Sequence, residues 1–230
     1  VEVALQAGRV RFLGIDLLVG PGALVPRQET ELLGRTAIDV LQRERDVRDA
    51  EGSDALRVVD MCCGAGNLAC AIASNIPGAQ VWATDLTDAC VAVARRNVDH
   101  LGLGDRVSVL QGDLFAPLAE LGLQDSIDLV VCNPPYISSG RLAKDRAELL
   151  VSEPREAFDG GPYGLTLHQR VIQAAPHFLR PRGWLIFEFG LGQDRQLAVL
   201  FARSKRFEEV DMKMDAESRP RVVAARKRGA

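Results

Sequence analysis

The sequence predicts an α/β fold: a mostly parallel sheet with helices on both faces and an antiparallel ending. Three observations carry this expectation. From Arg57 onward, short apolar runs of strand length alternate with helix-length amphipathic stretches. Polar residues follow or close four of those runs, namely Asp60, Asp85, Asp113 and Asn133. The last two runs, Glu208 to Met214 and Arg221 to Ala225, have no helix-length segment between them, so they are expected to pair antiparallel.

Taken in order, residues 10–25 read as a hairpin or extended arm, with turns at Gly14 and Pro21-Gly22. The domain boundaries expected are an N-terminal arm over 1–28 and one α/β domain over 29–230. Pro26-Arg27-Gln28-Glu29-Thr30-Glu31 opens a helix expected to run to about Arg45, with Leu32, Leu33, Ala37, Val40 and Leu41 as its apolar stripe. Charged residues from Arg43 to Asp54 read as a solvated loop. Arg57 to Met61 is the first strand of the main sheet, Cys62-Cys63-Gly64-Ala65-Gly66 a tight loop, and Asn67 to Ser74 a helix. Gln80 to Asp85 is the second strand, and Thr87 is placed to cap the helix that ends near Leu101. Arg106 to Leu110 forms the third strand and Ile127 to Cys132 the fourth, which two prolines stop abruptly. A long loop spans Ile137 to Pro162, with a helix expected over Arg141 to Val151. Leu165 to Leu179 is helical, Trp184 to Phe189 a strand and Gln193 to Ala202 a helix.

Composition narrows the function. Of 230 residues, 47% are hydrophobic, enough for a full core. A net charge of −3, from 28 basic and 31 acidic side chains, gives no footprint for stable nucleic-acid binding. No apolar run approaches the ~18 residues of a membrane span, and no signal peptide opens the chain. The five cysteines (Cys62, Cys63, Cys70, Cys90, Cys132) form no C-x-x-C pair and lie mostly in apolar stretches, which reads as buried thiols in a cytoplasmic protein without a metal site.

The candidate site lies where the parallel strands end, since ligands of open α/β sheets bind at the carboxyl edge. Asn133-Pro134-Pro135-Tyr136 places side-chain and backbone acceptors beside an aromatic plate, which suits a planar –NH2 group. Gly64, Gly66 and Ala69 match the dinucleotide pattern G-x-G-x-x-A, and Asp85 is placed to hold ribose hydroxyls, so a nicotinamide-dependent dehydrogenase competes. Asp60 counts against it, because a carboxylate beside the loop repels pyrophosphate and attracts the ammonium and sulfonium of S-adenosylmethionine. Asp60 would alternatively cap local backbone N–H groups. Asp113 would accept from an adenine amino group, with the Leu114 N–H beside it, or else serve as a cap or turn residue.

These residues resemble the HemK/PrmC family of protein-(glutamine-N5) methyltransferases, which modify peptide-chain release factors. The resemblance rests on V-P-R-Q-E-T-E-L-L at 25–33, V-V-D-M-C-C-G-A-G at 58–66, N-P-P-Y-I at 133–137, S-E-P-R-E-A-F-D-G-G at 152–161 and G-W-L-I-F-E-F-G at 183–190. It implies a seven-stranded class I methyltransferase sheet with its last strand antiparallel, and S-adenosylmethionine as cofactor. Matched residue by residue, Asp60, Cys62, Cys63, Gly64, Ala65 and Gly66 would hold the methionine part, Asp85 the ribose, and Asp113 with Leu114 the adenine. Asn133, Pro134, Pro135 and Tyr136 would grip the substrate amide. Beside the resemblance, Arg27 or Glu29 at the helix start reads as a further wall of that pocket or as helix-start electrostatics, and Glu153-Pro154-Arg155 as a latch over the site or an exposed charge cluster. The chain departs from the family at Gln28, where proline is usual, at Cys62, where glycine is usual, and at Tyr163, which interrupts G-G-x-D-G. The family's glutamine-recognising helical domain has no counterpart in these residues; shorter family members lean on a partner protein, so the resemblance implies either a partner subunit in its place or a domain trimmed ahead of Val1. The resemblance thus implies a protein substrate such as a release factor. An adenine or small-molecule amine methyltransferase, or a binding module without turnover, are the other readings.

Overall fold

The computed structural model describes residues 2–51, 55–139, 158–161 and 163–229. The helix expected over Arg141 to Val151 and the Glu153-Pro154-Arg155 latch lie outside the described residues. The chain opens with a short helix α1 (Glu2–Ala7), then a hairpin of β1 (Arg9–Phe12) and β2 (Ile15–Leu18). Leu13 and Gly14 turn it with φ of 45° and 85°, a conformation suited to tight hairpins. A 3-10 turn at Gln28–Thr30 leads into α2 (Glu31–Glu51). The main domain continues as β3 (Arg57–Met61), α3 (Asn67–Asn75), β4 (Gln80–Asp85), α4 (Asp88–His100), β5 (Val107–Gln111) and β6 (Ile127–Cys132). After the loop come α5 (Thr166–Phe178), β7 (Leu179–Glu188), α6 (Asp194–Ser204), β8 (Phe207–Met214) and β9 (Pro220–Lys227).

The seven long strands form one sheet in the order β5-β4-β3-β6-β7-β9-β8. All pairings from β5 to β7 are parallel, and β9 runs antiparallel to both neighbours. The period-two alternation of the strands divides the core. Val58, Val81, Val109, Leu129 and Val131 face α2, α3 and α4. Val59, Met61, Val130, Cys132, Leu185 and Phe187 face α5 and α6. β6 is buried along its whole length because helices cover both faces, which is why it reads as unbroken apolar sequence.

Two boundaries differ from the sequence reading. α2 does not fray near Arg45 into a solvated loop; it continues to Glu51. Glu44 and Arg48, on one side of these charged turns, face a partly buried ionic network, while Arg43 and Asp46 stay exposed. Glu44 pairs with Arg180 at 2.5 Å, accepts from Trp184 Nε1 at 3.1 Å and lies 3.6 Å from Arg226. Arg48 and Arg180 each reach the buried Asp128 at 2.5 Å. A charge run therefore has helical continuity because its partners come from β6, β7 and β9, which no local pattern reveals. β7 also starts at Leu179 rather than Trp184: Leu179 pairs with Ile127, and the register then shifts before Trp184 meets Leu129.

The hairpin packs on the domain through Phe12 and Leu17, both fully buried. The buried Asn97 of α4 fastens it. Its Oδ1 accepts from Leu18 N at 2.7 Å, and its Nδ2 donates to Leu18 O at 3.0 Å and to Ala65 O at 2.9 Å. One amide thus ties the arm to the glycine loop. Among the described residues, no helix is long and apolar enough to cross a membrane.

Candidate active site

Met61 and Cys132 are register partners, so Cys62 and Asn133 leave the sheet side by side at its carboxyl edge. The loop after β3 turns sharply: Cys62, Gly64 and Gly66 have φ of 55°, 54° and 76°. At Gly66 a Cβ would stand 3.1 Å from the Ala94 Cβ, so both the backbone and the contact with α4 require glycine. The loop is pinned by Cys63 N to Thr84 O at 3.0 Å and by Gly64 N to Asp85 Oδ2 at 2.9 Å.

A cleft of about 1000 Å³, open to solvent, lies along this edge. Cys62, Cys63, Gly64 and Ala65 line it, with Asp85, Thr87, Asp113, Leu114, Asn133 and Pro135. Leu24 and Pro26 of the arm complete the wall. Thr87 caps α4, accepting from Cys90 N at 3.3 Å, and turns its own N–H to Asp85 Oδ1 at 3.2 Å. Asp113 lies half-exposed and pairs with Arg170 of α5 at 2.7 Å. Leu114 follows with φ of 49° and is buried.

Asp60 does not reach the wall. It is fully buried behind the loop, and its Oδ2 accepts from Ala69 N at 2.9 Å. Its Oδ1 has no hydrogen-bond partner. Burial pushes this carboxyl up to about 8; the Ala69 N–H opposes the rise and the nearby Asp85 charge adds to it. A buried carboxyl with one unused oxygen, behind a loop with Asp85 on its far side, suits a cationic ligand and disfavours an anionic one. The residues present therefore fit the aminoacyl and ribose parts of S-adenosylmethionine better than a pyrophosphate. Burial likewise raises the thiols of Cys63 and Cys132 well above their usual range and those of Cys70 and Cys90 to about 12, so these are inert packing groups.

A second cavity of about 1440 Å³ adjoins the first. Arg27, Glu29, Pro134 and Tyr136 line it, joined by Glu188, Gln193 and Arg221. Leu24, Arg27, Thr30, Asn133 and Pro135 belong to the walls of both cavities. Asn133 Nδ2 donates to Thr30 Oγ1 at 3.2 Å. The Tyr136 hydroxyl donates to Glu188 Oε1 at 3.0 Å and accepts from Arg221 Nη2 at 3.2 Å. Burial raises the Tyr136 phenol, the Glu188 charge adds to this, and Arg221 opposes it. Burial also raises the Glu188 carboxyl, against the Thr30 hydroxyl, Arg221 and the Tyr136 hydroxyl. Glu188 Oε2 is buried without a hydrogen-bond partner.

The corner is held rigid from outside. Gln193 Nε2 donates to Tyr136 O at 2.9 Å, and Ile137 N donates to Phe158 O at 3.0 Å. Gly160 lies against the corner so closely that a Cβ would stand 2.7 Å from Pro135 O and 2.9 Å from Tyr136 Cα. This explains one glycine of the Gly160-Gly161 pair. The three histidines lie off the site. His100 and His177 are exposed, and the buried His168 meets Glu188 O through Nε2 at 2.9 Å, with burial lowering it to about 4.

Of the described residues assigned to the cofactor or the amide from sequence, both cavities together gather all but Asp60, which lies in β3 ahead of the loop, and Gly66, which ends the loop. Sequence reasoning gave no role to Thr30, Glu188, Arg221 or Gln193. Glu188 closes β7 just as Asp85 closes β4, so the strand-end criterion would have found it. Arg221 opens the antiparallel β9, whose start lies at the edge where parallel strands finish.

The sheet order and a bipartite site at its carboxyl edge define a class I, Rossmann-like methyltransferase domain. Residues 47–211 match the family described as Methyltransferase small domain. A release factor glutamine methyltransferase from Geobacter sulfurreducens is 35% identical over 197 residues, covering 86% of this chain and 63% of that protein. One from Moorella thermoacetica is 34% identical over 221 residues, covering 96% of this chain and 73% of that protein. The crystal structure of a release-factor-specific protein-(glutamine-N5) methyltransferase from Alicyclobacillus acidocaldarius superposes with a TM-score of 0.54 at 27% identity, covering 91% of this chain and 98% of that one. The chain belongs to the release factor glutamine methyltransferase family. It spans less than two thirds of the Geobacter relative's length.

Proposed function

We propose that this domain is an S-adenosylmethionine-dependent N-methyltransferase acting on the side-chain amide of a glutamine in a protein, most directly a peptide-chain release factor. The observation that carries the reading is that Asn133 and Pro135 belong to both cavities, so a donor in one meets an acceptor nitrogen in the other at this corner. S-adenosylmethionine supplies an electrophilic methyl group on a sulfonium. Cys62 to Gly66 would cradle the aminoacyl part, Asp85 would accept from the ribose hydroxyls, and Asp113 with Leu114 would border the adenine. Asp60 would act from behind the loop, through charge rather than direct contact. Asn133 Oδ1 and the Pro134 carbonyl would each accept from one amide N–H of the glutamine. Those hydrogen bonds strengthen as positive charge grows on the nitrogen, which favours the transition state over the ground state. Tyr136 would flank the planar amide. No general base is needed before methyl transfer; the proton can leave the nitrogen afterwards.

Residues 1–28 serve in this reading as an arm that walls both cavities, and residues 29–230 as the catalytic domain. A partner subunit would supply the wider recognition of the substrate, and the buried thiols suit a cytoplasmic enzyme. Radiolabelled methyl transfer to a purified release factor, a ribosomal protein and an adenine-containing oligonucleotide tests the reading. Label on a glutamine of the release factor supports it; label confined to the oligonucleotide refutes it.

A further inference from the structure

Two exposed apolar side chains stand on the wall of the second cavity. Tyr163 is 85% exposed and Leu191 48% exposed, and both line it. One exposed apolar residue on a surface signifies nothing, but two on the wall of the cavity that holds the amide-gripping corner call for a cover. Glu188 and Arg221, on the same wall, are turned instead to the Tyr136 hydroxyl.

Both apolar residues are held in register with the corner. Tyr163 precedes Gly164, where a Cβ would overlap Tyr136 O and stand 2.7 Å from Gln193 Nε2. Leu191 follows Gly190, where a Cβ would stand 3.0 Å from Tyr136 Cδ2 and 3.1 Å from Gln193 Oε1. One amide joins the three segments. Gln193 Nε2 donates to Tyr136 O at 2.9 Å and to Gly164 O at 3.2 Å, while its Oε1 accepts from Gly190 N at 2.8 Å. Gly161 O also accepts, from Ser139 N at 2.9 Å and Gly164 N at 3.1 Å. Tyr163 and Leu191 thus each lie one residue from backbone pressed on Tyr136. The cavity they border, about 1440 Å³ and open to solvent, is far larger than one side-chain amide. A glutamine that reaches Asn133 brings its chain neighbours in with it.

We infer that Tyr163 and Leu191 form a specificity lip: they receive an apolar side chain of the substrate polypeptide that flanks the target glutamine, and Gln193 keeps the lip in register with the methyl-accepting corner. This deepens the proposed function and rests on it for the polypeptide nature of the acceptor. Apolar surface leaving water on both partners supplies the affinity, and a tyrosine gives up little side-chain freedom in providing it. A contact away from the reacting atoms is equally strong in ground state and transition state, so it acts on KM rather than on kcat.

The test has two arms, both on the whole chain. In the first, p-benzoylphenylalanine at position 163 is irradiated in the presence of a release factor, and mass spectrometry locates the crosslink. It should fall on or beside an apolar residue within a few positions of a glutamine. In the second, steady-state methylation of the release factor is measured. Tyr163→Ala should raise KM by roughly 5–20-fold with kcat changed less than about 3-fold, and Tyr163→Phe should keep the wild-type KM. Affinity for S-adenosylhomocysteine should be the same in all variants. Changing the crosslinked apolar residue of the release factor to serine should raise KM for the wild type but not for Tyr163→Ala, since the pair is then already broken. Leu191→Ser carries the same test should the alanine at 163 disturb the loop. An unchanged KM in Tyr163→Ala, additive effects of the two changes, or crosslinks absent or remote from any glutamine overturn the lip. If the crosslink falls beside a glutamine that the wild type leaves unmethylated, the lip stands and the proposed reaction fails.

Discussion

Binding of the cofactor should expel a proton from Asp60. This carboxyl is fully buried and pushed up to about 8, so at pH 7 it is ~90% protonated in the free protein. A cationic ligand on the other side of the loop favours the carboxylate and lowers that value. Calorimetry with S-adenosylhomocysteine in buffers of different ionisation enthalpy should therefore report release of about 0.9 proton at pH 7 and about 0.5 at pH 8. Asp60→Asn removes the titrating group while its amide oxygen still accepts from Ala69 N, so proton release should vanish. The sign for stability follows from linkage. The folded value lies above the ordinary 3.8, so the stabilisation is fully present below that pH and lost as pH rises toward about 8. By pH 7 the loss is at most ~4 kcal/mol, at about 1.4 kcal/mol per pH unit. The asparagine escapes that loss, but its –NH2 lacks a partner where Oδ1 now lies unpaired, at a cost of about 1–3 kcal/mol. The net expectation is a ligand-free variant that is more stable by ~1–3 kcal/mol at pH 7 and binds the ligand at least about tenfold more weakly. Equal proton release in wild type and Asp60→Asn, or none in either at pH 7, would refute the assignment of this carboxyl.

Two further substitutions probe the loops that shape the corner. Gly160→Ala should destabilise by roughly 1–3 kcal/mol, because its Cβ would meet backbone atoms of Pro135, Tyr136 and Gly164 that cannot rotate away. Chemical denaturation measures this directly, and turnover should fall as the corner shifts. Cys62, at φ 55°, stands in a left-handed conformation, so Cys62→Gly should be more stable than Cys62→Ala by about 1 kcal/mol. Equal midpoints for these two variants would show that the loop relaxes without strain.

Much of the architecture was legible because each strand is short, apolar and ended by a polar or proline signal. The capping Thr87 and the strand ends at Asp85 and Cys132 coincide with their sequence assignments. The continuation of α2 past Arg45 was not legible, because Glu44 and Arg48 find their partners eighty or more residues away on strands of the sheet. The site divides in the same way. Residues that follow parallel strands declared themselves by position, whereas Arg221 matters because β9 reverses direction, and Thr30 because the 3-10 turn brings it beside Asn133. Asp60 was legible as a strand-end carboxylate, but its depth behind the loop depends on how α3 packs, and a linear pattern does not carry that.

The central claim is that donor and acceptor meet at Asn133. Mass spectrometry of a release factor incubated with S-adenosylmethionine and either wild type or Asn133→Ala tests it most directly. The wild type should add one methyl group to a single glutamine, and the variant should lose turnover by at least about 100-fold while still binding S-adenosylhomocysteine. Undiminished methylation by Asn133→Ala would contradict the account.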